Sequence, residues 1–285
     1  MLNLPIRLRY SDEYCTPKGP TIQQARPVRI NVDGTDFEFK APRHNSSNPG
    51  YEASVPRRQY LLPRETFRTY DGDDQYKRWK YLSVLFRSWS FYGPWLTGRK
   101  AELSFSVNIL MPSKPQADVS FYHPRAFESA IASYLTDHYS KPDKWKKVNW
   151  CAPMHWARVE SLPCVAARLE VHPIWKNHPA GAITKNLFLP IGDHFLFHFS
   201  FTPTLLGKGP EWESEKYVDP APVNQLLEDI IASLKVTLSP EAKAKQAKAL
   251  EGLSDTSLTP TFPPLKWTDD DSDSQGSTHH QLQNA

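Results

Sequence analysis

The sequence predicts an α+β fold, with one or more antiparallel sheets and proline-initiated helices packed on one face. Three observations predict it. Strict alternation marks half-buried strands, as in Leu103, Phe105, Val107, Ile109 and again in Phe195, Phe197, Phe199, Phe201. Two segments just after a proline repeat apolar residues at helical spacing. Proline is abundant, 26 residues against 12 glycines, which favours defined turns over long helices.

The first 75 residues read as strand and loop. Ile6, Leu8, Tyr10 alternate, as do Val28, Ile30, Val32 and then Phe37, Phe39. Asp33-Gly34 between the last two sets is a hairpin-turn signal, because both positions of such a turn need positive φ. Residues 41–63, rich in Pro, Asn and Ser, read as a long irregular loop. Trp79–Phe91 carries apolar residues on both faces, as a central strand does: Trp79, Tyr81, Leu85, Trp89 on one, Leu82, Val84, Phe86 on the other. Gly93-Pro94 and Gly98 connect it to Ala101–Met111, whose Glu102, Ser104, Ser106 and Asn108 predict one wet face.

Pro124 then opens a helix with Phe127, Ala130, Ile131, Tyr134, Leu135 and His138 on one stripe. Ala167, Leu169, Val171 and Leu187, Leu189 alternate, and the phenylalanine strand follows. Pro222 opens a second helix with Val223, Leu226, Leu227, Ile230, Ile231 and Leu234 at the same spacing. The helices share Ile131-Ala132-Ser133 and Ile231-Ala232-Ser233, which suggests an internal β-β-α duplication. Ser239-Pro240-Glu241 starts a third, Ala/Lys-rich helix with little apolar face. The expected organisation is a strand-and-loop region over 1–75 packed on the main body, and a first ββα unit over 76–140. A Trp-rich connection over 141–165 leads to a second ββα unit with a surface helix over 166–252. A Pro-rich extended segment covers 253–267 and a disordered acidic tail 268–285.

Three cysteines, Cys15, Cys151 and Cys164, are odd in number and widely spaced, unlike a secreted disulfide framework. Met1–Arg7 lacks the basic and apolar regions of a signal peptide, and no apolar run is long enough to span a bilayer. These features predict a cytoplasmic protein with no membrane partner and no cofactor.

Candidate chemistry is sparse. Cys151-Ala-Pro-Met-His155, with Cys164 and His172, is the strongest nucleophile or metal cluster, yet C-x₃-H is not a zinc-knuckle spacing and four ligands do not assemble locally, so no metal site is predicted. His194 and His198 share a strand face but lie roughly 13 Å apart, too far for one ion; they are expected on an outer face or in a second core. Asp71-Gly72-Asp73-Asp74 starts like a calcium loop but has Tyr76 and Leu82 where that loop needs Gly and Glu. Gly207-Lys208-Gly209 lacks the rest of a P-loop, and no dinucleotide fingerprint, G-x-S-x-G or H-E-x-x-H motif occurs.

Two surfaces stand out. The stretch from Arg57 to Lys100 holds ten Lys/Arg against four Asp/Glu, a net +6. There Arg57, Arg58, Arg64, Arg68, Lys77 and Arg78 interleave with Tyr60, Phe67, Tyr70, Tyr76 and Trp79, the mixture of charge and stacking surface that single-stranded nucleic acid uses. Glu211-Trp212-Glu213-Ser214-Glu215 is an aromatic anchor rimmed by carboxylates, suited to a basic cleft on a partner protein. Asp71, Asp73 and Asp74 form a second acidic patch of the same kind.

The phenylalanine strand Asp193–Phe201 and the helix-to-strand run Val223–Leu238, ending Ser-Leu-Lys-Val, are similar to the C-terminal halves of cytoplasmic immunity proteins of bacterial type VI secretion effectors. The resemblance covers under a quarter of the chain and carries no family site residues across. It implies a non-catalytic antitoxin that binds and neutralises a cognate secreted toxin. The alternatives are a nucleic-acid-binding protein using residues 57–100 and an enzyme whose site no motif reveals, expected near His155, His172 and the acidic loop.

Overall fold

The structure is a computed structural model that describes residues 13–69, 78–94, 97–139, 149–150, 153–175, 178–179, 183–208 and 211–261. The expected strand at Ile6–Tyr10 and the acidic tail lie outside the described residues. The fold is α+β, with antiparallel sheets and three α-helices among the described residues.

A hairpin of β1 (Arg26–Val32) and β2 (Thr35–Ala41) turns at Asp33-Gly34, with φ of 45° and 81°, as the dipeptide predicts. β3 (Gln59–Tyr60) pairs parallel to β1 after the irregular loop. The hairpin β4 (Trp79–Tyr92) and β5 (Arg99–Pro112) follows, and then helix α1 (Pro124–Tyr139). The short β6 (Asn149–Trp150) precedes β7 (Met154–Arg158), β8 (Ala167–Val171), β9 (Pro173–Trp175), β10 (His178–Pro179), β11 (Thr184–Gly192) and β12 (Phe195–Leu205). Helix α2 (Ala221–Ala232), strand β13 (Lys235–Thr237) and helix α3 (Pro240–Leu250) complete the order.

The central sheet has six strands in the order β4-β5-β12-β11-β8-β7, every pair antiparallel. A four-stranded sheet, β13-β2-β1-β3, lies over one of its faces, and β6, β9 and β10 form a small third sheet. Phe197, Phe199 and Phe201 of β12 enter the core between the two larger sheets. There Phe37 stacks on Phe197 at 4.3 Å and Phe39 meets Phe105 and Phe199 edge-on. Such aromatic pairs add roughly 0.5–1.5 kcal/mol each beyond their burial.

The helices do not share a face. Val223, Leu226, Leu227 and Ile230 of α2 join the core between the sheets. Phe127, Ile131, Tyr134 and Leu135 of α1 cover the opposite face, over Leu110, Leu169, Phe188 and Leu196. The strand pattern explains this. On the face away from the phenylalanines the sheet carries Leu110, Leu169, Phe188 and Leu196, one from each of four strands, so both faces of the central sheet need a cover. His198 falls on the α1 side, in the second core expected for it. His194 does not share its strand; it sits in the turn before β12, with Nε2 2.7 Å from the Gln116 carbonyl.

The predicted wet face of β5 is also partly dry. Glu102 and Asn108 are buried. Glu102 bonds Ser46 and Ser88 and pairs with Arg99, because the loop after β2 folds across that end of the sheet. α3 starts at Ser239, whose hydroxyl accepts from the Ala242 amide at 3.1 Å, and buries only Ala242. No helix among the described residues is long and apolar enough to cross a membrane.

Candidate functional site

β8 runs between β7 and β11, and its even-numbered residues Arg168 and Glu170 face the α2 side. His172, two residues after Glu170, projects the same way. Lys185 on β11 is the direct cross-strand partner of Glu170. On the other side, β7 pairs Met154 with Glu170 and Ala157 with Arg168, so three steps on β7 match two on β8. The extra residue makes a bulge, and His155 within it has φ of 54°, a left-handed conformation that costs a non-glycine residue about 1 kcal/mol.

The bulge turns His155 toward Glu170. Nε2 of His172 lies 3.0 Å from Glu170 Oε2, and Nε2 of His155 lies 3.9 Å from the same oxygen. Lys185 Nζ takes the other oxygen, Oε1, at 3.3 Å. One donor atom from each of His155, Glu170 and His172 lies within 4.8 Å of the others. The hydrogen bond to His172 is the main cause holding the Glu170 carboxyl down to about 2; partial burial opposes it, and Lys185 and His155 add to it. His155, Glu170 and Lys185 border a cavity of about 280 Å³ whose far wall is Leu227, Glu228 and Ile231 of α2.

The cluster corrects the sequence reading of this region. His155 and His172 do come together, but Cys164 does not join them. It is buried in the main core, its sulfur facing the Pro190 carbonyl, and burial pushes its thiol up to about 12, where it is an inert hydrophobe. Cys151 lies outside the described residues. Glu170 and Lys185 were missed, although Glu-x-His on an alternating strand places both side chains on one face. The bulge that aims His155 had no sequence signal.

The remaining predicted residues fall elsewhere. Glu211–Lys216 is a short 3₁₀ turn. Ser214 anchors it, 3% exposed, with its hydroxyl accepting from the Gly207 amide. Glu213 pairs with Lys216 at 3.0 Å and Glu215 is exposed, whereas the side chains of Glu211 and Trp212 lie outside the described residues. No residue of this turn borders the cavity beside His155 and Glu170. Asp71, Asp73, Asp74 and Lys77 also lie outside the described residues.

In the basic segment, Arg58, Arg64, Arg68 and Arg78 are exposed. Arg57 pairs with Glu65 at 2.6 Å and lies 4.5 Å over the Tyr60 ring. Of the aromatics meant to stack on bases, Tyr60 is 2% exposed, Trp79 is 3% exposed and Phe67 packs beside Phe195, whereas Tyr70 and Tyr76 lie outside the described residues. Among the described residues the Arg57–Trp79 part of this stretch is a charged surface over core aromatics, and the exposed ring Tyr92 lies at the far end of β4.

A second, smaller cavity of about 160 Å³ lies between α3 and the β11–β12 turn, bordered by Asp33, Tyr122, Asp193, Glu241 and Lys245. Burial pushes the Asp33 carboxyl up, and Lys245 bridges Glu241 and Asp193.

No family model matches the chain, and no curated protein matches it. Among solved structures, the apo structure of the immunity protein TplEi of the T6SS from Pseudomonas aeruginosa is similar at 9% identity. The likeness covers 77% of this chain and 75% of that one, with a TM-score of 0.20. At that score it is faint and establishes no shared architecture.

Proposed function

We propose that the chain is a non-catalytic immunity protein that binds and neutralises a cognate secreted bacterial toxin in the cytoplasm. The observation that carries this reading is the placement of the two segments similar to immunity proteins. They are not peripheral: Phe197, Phe199 and Phe201 fill the main core, α2 packs on it, and β13 completes the N-terminal sheet. The resemblance therefore falls on residues that fix the fold.

The partner surface in this reading is the acidic turn Glu211, Trp212, Glu213 and Glu215, with Asp71, Asp73 and Asp74 as a second acidic contact. Its support is a preformed geometry. Ser214 and the backbone bonds from Tyr217 and Val218 to its carbonyl hold the turn, while Glu215 stays in solvent. A held acidic turn loses little entropy on docking and steers a basic partner by long-range attraction.

The test is recovery of the tagged protein from its own cells, with mass spectrometry of the complex and an activity assay of the partner. The expected result is one stoichiometric partner whose toxicity is silenced at a 1:1 ratio, with capture weakened by Glu213→Lys/Glu215→Lys. Recovery of the protein alone, or with nucleic acid that salt strips away, overturns the proposal.

A further inference from the structure

We infer that His155, Glu170 and His172 form a binding site for one divalent transition-metal ion, zinc(II) above all. The inference rests on these side chains alone and is independent of the immunity reading. Two imidazoles and a carboxylate are a donor set suited to zinc and its neighbours, and poorly suited to calcium or magnesium, which take oxygen ligands.

The carboxylate is presented for it. Lys185 occupies Oε1, and both histidine Nε2 atoms converge on Oε2. Lys185 thus acts as the outer partner that orients a metal-ligating carboxylate. At zinc–ligand distances of about 2.0–2.2 Å, donors in a tetrahedral shell sit roughly 3.4 Å apart. The His172–Glu170 separation of 3.0 Å is already close to that, and His155 at 3.9 Å needs a shift of about half an ångström. His155 has the freedom to make it, since its side chain is 67% exposed.

A plain ion-pair cluster does not account for His155. Glu170 is already satisfied by His172 and Lys185. The chain nevertheless inserts a bulge residue in left-handed backbone that aims a third group at the same oxygen. Strain of this kind concentrates where a ligand needs the geometry. Three protein ligands leave at least one coordination position for water or an outside donor, at the rim of the cavity beside α2.

The experiment uses the full chain, stripped with a chelator, in a His279→Ala/His280→Ala background that removes the paired histidines of the tail. Zinc is titrated in competition with a chromophoric chelator, and cobalt(II) is added in parallel to read its visible absorption. The expected result is one equivalent bound, with an intense cobalt spectrum and a melting temperature raised by zinc. His155→Asn, Glu170→Gln and His172→Ala should each weaken zinc at least about ten-fold and abolish the cobalt bands. His155→Asn is the decisive variant, because the side chain it replaces is 67% exposed and asparagine tolerates left-handed backbone; metal-free circular dichroism checks that the fold is kept. Zinc affinity unchanged in His155→Asn and Glu170→Gln, or no equivalent bound by the parent chain, overturns the inference.

Discussion

His198 gives this protein an acid sensitivity that can be measured residue by residue. The ring is 3% exposed and lies parallel to Phe188, centroids 4.3 Å apart, with Tyr134 against it edge-on. Its Nε2 donates to Asn186 Oδ1 at 2.8 Å, and Nδ1 meets no hydrogen-bond partner. Burial, helped by nearby His138, pushes its pKa down to about 3, so the folded protein holds it neutral. In the unfolded chain it titrates near 6.5. The unfolded state therefore takes up the proton first as pH falls. The contribution of His198 to stability is complete above pH 6.5 and drains away between about 6.5 and 3, at roughly 1.4 kcal/mol per pH unit. Between pH 7.5 and 5.5, above most carboxylate titrations, the loss from this residue is about 1.4 kcal/mol. The comparison is wild type against His198→Phe, by urea unfolding at both values. The variant keeps the stack but strands the Asn186 oxygen, a penalty of about 1–3 kcal/mol that does not vary with pH. Wild type should lose about 1.4 kcal/mol more than the variant over the interval. Equal losses in the two proteins would mean that His198 is protonated in the fold, and the reasoning would fail.

Other perturbations follow from the packing. Phe105, fully buried among Phe39, Trp89, Phe199 and Phe201, should cost about 3–5 kcal/mol on mutation to alanine, read by chemical denaturation. Glu128, buried on α1, accepts from the amide and hydroxyl of Thr259 and from Arg125. Glu128→Ala should release the segment around Thr259, seen as faster amide exchange there and a loss of about 1.5–3 kcal/mol. His155→Gly should stabilise the metal-free protein by up to about 1 kcal/mol by relieving the left-handed backbone, while removing a metal ligand. A melting temperature lower than wild type in the absence of metal would show that the bulge is not strained.

The elements were largely legible in the sequence because their signals are local. Asp33-Gly34 encodes its own turn, the phenylalanine strand its own period, and Ser239-Pro240-Glu241 its own cap. What spans elements was less visible. The alternation of β5 marked Glu102 as a solvent position, but the loop that bonds it belongs to residues more than fifty places earlier. Tyr60 and Trp79 look available for stacking when read beside arginines, yet the fold spends both on its cores. At the candidate site, two of three residues were singled out and one wrong partner, Cys164, was grouped with them. Register between β7 and β8 decides which side chains meet, and a one-residue bulge resets that register without altering composition.

β13 has a consequence for how the chain is made. It pairs Lys235 with Glu38 across almost the whole length of the fold. Until residues 235–237 leave the ribosome, β2 has no partner on that side and offers a bare row of amides and carbonyls. At about 5–20 residues per second, the delay between the two strands is roughly 10–40 s. During that interval the nascent N-terminal sheet is an open template for stray strands. Its closure is the late event of biosynthesis, and chains truncated before β13 should be the ones that chaperones and proteases meet most often.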